Sequence, residues 1–161
     1  MQNNEQRQPM KKILQRALLT VSALIILAVG YLWLTFASPF GYQPSGELPE
    51  IDDNASYSVF VYGTLKKPWV RALVMGRAGT GLPATLPGYQ QEALDIKPTP
   101  GAVTEGLVIT VSGTELRSLD RYERLGVRYE RLEVTLQNGE TAWVYQLMDP
   151  LVQELTNDLT E

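Results

Sequence analysis

The 161-residue chain has no histidine and no cysteine. Those two absences exclude a Ser-His-Asp or Cys-His nucleophile, a His or Cys zinc site, a haem thiolate and any disulfide. Proton transfer is left to carboxylate, tyrosine, lysine or backbone groups. A metal site built from oxygen alone needs several acids to converge, and no spaced aspartate cluster occurs, so no metal is expected. Positive charge is also scarce over most of the chain. Residues 1–46 carry four basic residues against Glu5, a net of +3, and the remainder carries 10 basic against 17 acidic, a net of −7. Gripping nucleic acid phosphates depends on Lys and Arg, so no nucleic acid partner is expected. The length suits one domain once a membrane segment and a linker are set aside.

What is present begins with an apolar run. Ala17 to Ala37 are twenty-one residues without a charge, enough at about 1.5 Å per residue to cross a hydrocarbon layer of roughly 30 Å. Tyr31, Trp33 and Phe36 collect at the far end and Lys11, Lys12 and Arg16 at the near end. That asymmetry predicts a single-pass signal anchor over 17–37, with residues 1–16 cytoplasmic and the domain on the outer side. A cleaved signal peptide is the alternative, because Thr35-Phe36-Ala37 ends in a small residue where a peptidase cuts; the run is longer than the usual signal core. Residues 38–56 are rich in Pro, Gly, Ser and acids and read as a linker.

Residues 57–148 read as the folded domain, followed by an acidic tail over 149–161. Tyr57 to Tyr62 is a β-branched and aromatic strand ending at Gly63. Pro68 suits the first turn of a short helix reaching Met75. Glycines and prolines at 76, 79, 81, 83, 87 and 88 break the chain into brief strands or loops, and 95–104, with prolines at 98 and 100, reads as a loop. Glu105 to Val111 is a second strand. Leu116, Leu119 and Glu123 share one face of an amphipathic helix that begins at Gly113-Thr114. Tyr129 to Leu136 alternates, and Asn138-Gly139 supplies the hairpin turn before Thr141 to Leu147 returns.

Two constellations can carry chemistry. At Tyr62-Gly63-Thr64-Leu65 a strand runs into a glycine, and consecutive N–H groups there can face one carboxylate or carbonyl oxygen; an ordinary turn has the same sequence. In Leu119-Asp120-Arg121-Tyr122-Glu123, Glu123 falls on the inward helix face, where burial raises a carboxyl pKa toward the working pH. The competing reading is a surface acid paired with Arg124 or Arg128. Asp120, Arg121 and Arg124 read as solvated charges, so Asp120→Asn is expected to do little.

The string Val59 to Lys66 resembles the opening strand and substrate loop of the γ-glutamylcyclotransferase-like (AIG2-like) family, closest to its γ-glutamylamine cyclotransferase branch. Glu105-Gly106, Leu119 to Glu123 and Tyr129-Glu130-Arg131 follow in the family's order, and Trp143-Val144-Tyr145 resembles its closing strand. The resemblance covers nearly all of 57–148. It implies an α+β fold, a small mixed β-barrel with flanking helices, here preceded by one transmembrane helix that is unusual for the family. It also implies release of 5-oxoproline from a γ-glutamyl amine or peptide, with the catalytic glutamate carried onto Glu123. The substrate-binding positions fall on Tyr62, Gly63, Thr64 and Leu65, with Tyr129 in support. The substrate's own α-amine is then the nucleophile, so no metal or organic cofactor is needed. The partners implied are a small-molecule γ-glutamyl substrate and, through the N-terminal helix, membrane lipid. Residues 76–104 match no motif, so the wall that selects the leaving amine is not legible. A noncatalytic envelope module that keeps the fold as a binding surface is the alternative, and it would bind without turnover.

Overall fold

The computed structural model describes residues 7–36, 42 and 48–149. They fall into two compact units, one ending at Gly41 and the other beginning at Tyr42. Residues 1–6, 37–41, 43–47 and 150–161 lie outside the description, and with them most of the acidic tail, part of the linker and the alternative cleavage point at Ala37.

The first unit is one helix, α1 (Arg7–Phe36). Its segment Lys11–Tyr31 is long and apolar enough to cross a membrane, with a mean hydropathy of 2.0, and none of it is buried. Ile13, Leu14, Leu19, Ile26 and Leu27 are each about two-thirds exposed or more.

The second unit is mixed α and β, as expected. Its elements are β1 (Ser56–Val61), a 3-10 turn at Thr64–Lys66, α2 (Pro68–Met75), β2 (Gly81–Glu92), β3 (Asp95–Ser112), α3 (Gly113–Glu123), β4 (Tyr129–Thr135) and β5 (Thr141–Leu147). The strands form one sheet in the order β2-β3-β1-β5-β4. All neighbours are antiparallel except β1 and β5, which run parallel through Val59 and Trp143. The sheet curls into a partial barrel, and its two edges touch where the Gln137 N–H donates to the Thr85 carbonyl at 2.9 Å. An open hollow of about 300 Å³ lies at that seam, lined by Pro83, Ala84, Thr85, Leu136, Gln137 and Asn138. None of the expected site residues lines it.

The curl gives the sheet two buried faces. On one, Val59, Val61, Ile109, Val111 and Tyr145 pack with Leu116 and Leu119 of α3 and Val70 of α2. On the other, Phe60, Tyr62, Leu86, Ile96, Val134 and Val144 fill the barrel. Burial on both sides explains why the second half of β1, Val59 to Val61, reads as an unbroken apolar run instead of an alternating one. Gly106 is required by a close approach: a Cβ there would lie 2.5 Å from the Phe60 ring and 2.7 Å from the Val61 carbonyl oxygen.

Residues 95–104 are not the loop expected of them. They form the first half of β3, paired with β2 in a long hairpin that turns at Ala93 and Leu94. Pro98 and Pro100 are tolerated because β1 pairs only with Leu107–Ser112 of β3. Residues 95–104 thus have β2 on one side and no strand on the other, where a missing N–H costs nothing. Pro87 pairs with Val103 and Tyr89 with Pro98, so the intervening residues of β3 bulge, with Gly101 and Gly88 at positive φ. The described part of the expected linker is also attached to the domain. Tyr42, Leu48 and Ile51 pack against the helix-side core, and the Tyr42 hydroxyl donates to the Leu125 carbonyl at 2.7 Å.

Candidate active site

α3 is fixed at both ends. Ser112 and Glu115 form a reciprocal capping box at its start, which satisfies two otherwise unpaired N–H groups. At its end Arg124 adopts φ 54°, and the Leu125 N–H reaches back to the Asp120 carbonyl at 2.9 Å, closing the helix in a left-handed cap. This geometry stops the helix directly after Glu123. Leu116 and Leu119 on its inward face are fully buried, and Glu123 follows on that face, partly buried. Burial pushes its carboxyl from the usual glutamate range up to about 7, and the Arg128 charge opposes the shift. Among the described residues no Lys or Arg forms an ion pair with Glu123. The surface pairing with Arg124 or Arg128 is therefore absent.

Two phenols stand around this carboxyl. The Tyr62 hydroxyl donates to the Tyr145 carbonyl at 2.6 Å and approaches the Leu94 carbonyl at 3.5 Å, and the Tyr129 hydroxyl donates to the same Leu94 carbonyl at 3.0 Å. Burial, chiefly, raises both phenols above their ordinary range, with the negative charge of Glu123 adding to each. Both therefore stay protonated as donors. The tip of the β2–β3 hairpin is thus brought to the end of β1 and the start of β4. Asp95, next in the chain, accepts from the N–H groups of Ile96 at 2.7 Å and Leu147 at 2.9 Å and ties that tip to β5. Nothing local in the sequence marks Leu94 or Asp95, because their partners lie far along the chain.

The 62–65 loop divides by direction. Tyr62 and Leu65 bury their side chains in the two cores. Thr64 is exposed, its hydroxyl 3.3 Å from that of Tyr122. Gly63 has φ −100° and ψ −129°, and a Cβ there would meet nothing within 4 Å; the loop faces open space at this point. On its other side, buried Arg71 of α2 donates at 2.8 Å to both the Leu65 and Lys66 carbonyls and at 2.5 Å to that of Ala78. One guanidinium thereby holds the turn's carbonyls inward. Among the described residues no backbone or side-chain group accepts from the N–H groups of Gly63, Thr64 or Leu65.

Asp120 is not the solvated charge expected. It is 4% exposed, accepts two hydrogen bonds from the Arg131 guanidinium at 2.8 and 3.0 Å, and accepts a third from the Tyr145 hydroxyl at 2.5 Å. Burial raises its carboxyl, while Tyr145 and Arg131 pull it back down. The periodicity carried the signal: Asp120 is four residues beyond Leu116 and so on the buried face, and Arg131 sits two residues beyond buried Tyr129 on β4. Arg131 also lies 5.0 Å from the centre of the Trp143 ring.

The chain belongs to the gamma-glutamyl cyclotransferase, AIG2-like family, whose model matches residues 59–160. Among curated proteins it is similar to Protein AIG2 C of Arabidopsis thaliana, 39% identical over 89 residues, which is 51% of this chain and 53% of that protein. The chain therefore spans about half the length of this relative. Two Arabidopsis thaliana proteins known from solution structures share the fold, each with 26% identity and a TM-score of 0.51. The matches cover 70% of this chain and 81% of the first, and 68% of this chain and 88% of the second.

Proposed function

We propose that this chain is a membrane-anchored γ-glutamylcyclotransferase-type enzyme that releases 5-oxoproline from a γ-glutamyl amine or peptide, with Glu123 as general acid/base. The observation that carries the reading is the burial of Glu123, near enough to Tyr62 and Tyr129 for its charge to raise both phenols, with its carboxyl at about 7. A group with that pKa can take up and give back a proton near neutral pH. In the reaction Glu123 removes a proton from the substrate's α-ammonium. The freed amine attacks the γ-carbonyl carbon and forms the five-membered ring, and the carbonyl oxygen becomes an oxyanion. The N–H groups of Gly63, Thr64 and Leu65 face that oxygen or the glutamyl carboxylate. As the oxyanion collapses the γ-amide bond breaks and Glu123 returns its proton to the departing nitrogen; the ring nitrogen then gives up its second proton by way of the same carboxylate, so the lactam leaves neutral and the amine leaves as its ammonium ion. Nucleophile and electrophile belong to one molecule, so orientation replaces much of the work that a serine or cysteine nucleophile would do. Tyr129 supports Glu123, and α1 holds the domain at the outer face of a membrane.

The test is 5-oxoproline release from a panel of γ-glutamyl amines and peptides by the full chain and by Glu123→Gln. Wild type is expected to turn over at least one member, and the variant to lose a factor of roughly 10² to 10⁴ while keeping its fold. Equal rates would remove Glu123 from the chemistry, and a folded chain inert toward the whole panel would leave a binding module.

A further inference from the structure

α2 is covered on one side only. Val70 and Arg71 are buried, and Val74 and Met75 lie against the helix-side core. Trp69 and Leu73, four residues apart and so on one helical face, are each 65% exposed. Pro68, Ala72 and Gly76 are exposed with them, so this outer face contains no acid and no charge. Lys66 and Lys67, also exposed, stand at its leading end. All this belongs to a unit in which 17 acids outnumber 10 bases.

An indole, a leucine and two ammonium groups with no intervening carboxylate match a layer of anionic lipid headgroups. The rings and methyls enter the interface while the lysines reach phosphate oxygens. Chain length keeps such a layer within reach. Tyr42, fixed to the domain through the Leu125 carbonyl, follows Phe36 after five intervening residues, a stretch that extends to roughly 20 Å at most. The acid surplus of the unit as a whole is repelled by the same surface, which favours a face that carries lysines and an exposed indole and no acid. We propose that the outer face of α2, Trp69 and Leu73 together with Lys66 and Lys67, docks on the anionic headgroup surface of the membrane that α1 crosses. The proposal rests on the membrane reading of α1. Because Arg71 of the same helix grips the Leu65 and Lys66 carbonyls, docking sets the Gly63–Leu65 loop beside the membrane surface.

The chain contains no cysteine, so one introduced thiol is a unique attachment point. The full chain is reconstituted in nanodiscs of phosphatidylcholine with or without phosphatidylglycerol, carrying a nitrobenzoxadiazole label at Leu73→Cys, at Trp69→Cys or, as a control at an exposed position of β4, at Thr135→Cys. Reduction of the label by dithionite is then timed. In anionic discs labels at 73 and 69 are expected to react at least about fivefold more slowly than the label at 135, and Lys66→Glu with Lys67→Glu is expected to abolish the difference. Equal rates at all three positions in a chain that co-elutes with the discs would overturn docking and leave the anchor intact. A chain that does not co-elute would overturn both. Protection that is indifferent to lipid charge and appears only with two chains per disc would identify a second copy as the occupant and overturn the lipid assignment.

Discussion

Glu123 sits where its own charge is poorly solvated. Its carboxyl titrates at about 7 in the folded chain, against roughly 4.3 for an unperturbed glutamate. A raised carboxyl pKa means that the folded state binds the proton more tightly than the unfolded state. The stability this group contributes is therefore complete below the unfolded pKa and is lost as pH rises through about 7. Above that point the fold carries an ill-solvated carboxylate, at a cost on the order of 3–4 kcal/mol. Glutamine cannot ionise, so Glu123→Gln is expected to melt higher than wild type by a margin that is larger at pH 8 than at pH 5. Circular dichroism melts at the two pH values measure this, and an equal margin would mean that the folded chain solvates the carboxylate as well as water does. The variant stabilised in this way is the one expected to lose turnover, which is the usual opposition between stability and a strained working group. The inward placement of Glu123 was legible because helical spacing aligned it with Leu116 and Leu119. Leu94 was not, because the carbonyl that receives Tyr62 and Tyr129 is 32 and 35 residues from them, and a backbone acceptor has no residue-type signature.

Between elements the decisive contact is the buried pair of Asp120 on α3 and Arg131 on β4, with Tyr145 of β5 as third member. Side-chain exposures of 1% for Arg131 and 5% for Asp120 leave neither charge any water to fall back on. Removing one partner strands the other, at a typical cost of about 3–5 kcal/mol, whereas replacing both by apolar residues of similar volume is often close to neutral. Asp120→Asn is therefore expected to lower the melting midpoint by more than about 10 °C. Asp120→Leu combined with Arg131→Met is expected to recover most of that loss. A near-neutral Asp120→Asn melt would return Asp120 to the solvated role that its sequence neighbours Arg121 and Arg124 suggested. The same logic separates the elements that could be read from those that could not. The β4–β5 hairpin and α3 were legible because alternation, the helical spacing of Leu116 and Leu119 and Asn-Gly act over a few residues. The first half of β3 was not, because its prolines argue against a strand until the sheet order reveals that this stretch has only one neighbour.

For the whole chain, the proposed anchor raises the question of which side of a membrane the domain would occupy. The described side chains of α1 from Lys11 to Tyr31 are all exposed, and a helix apolar all round is stable only in lipid or against a partner that covers it. Its flanks are unequal: Lys11, Lys12 and Arg16 precede the apolar core, whereas residues 37–46 carry no charge at all. Positive residues near a helix end are retained on the cytoplasmic side, so the domain is expected outside. Alkaline phosphatase, which folds only outside the reducing cytoplasm, should therefore be active when fused after residue 161, and a green fluorescent fusion at the same point made through the general export route should be dark. The charges themselves supply the control. Replacing Lys11, Lys12 and Arg16 by glutamine and placing three lysines within residues 38–46 moves the bias to the other end, and should exchange the two reporters' signals. If the unaltered chain already lights the fluorescent fusion and silences the phosphatase, the domain is cytoplasmic, and the α2 face would then meet the inner leaflet by the same chemistry.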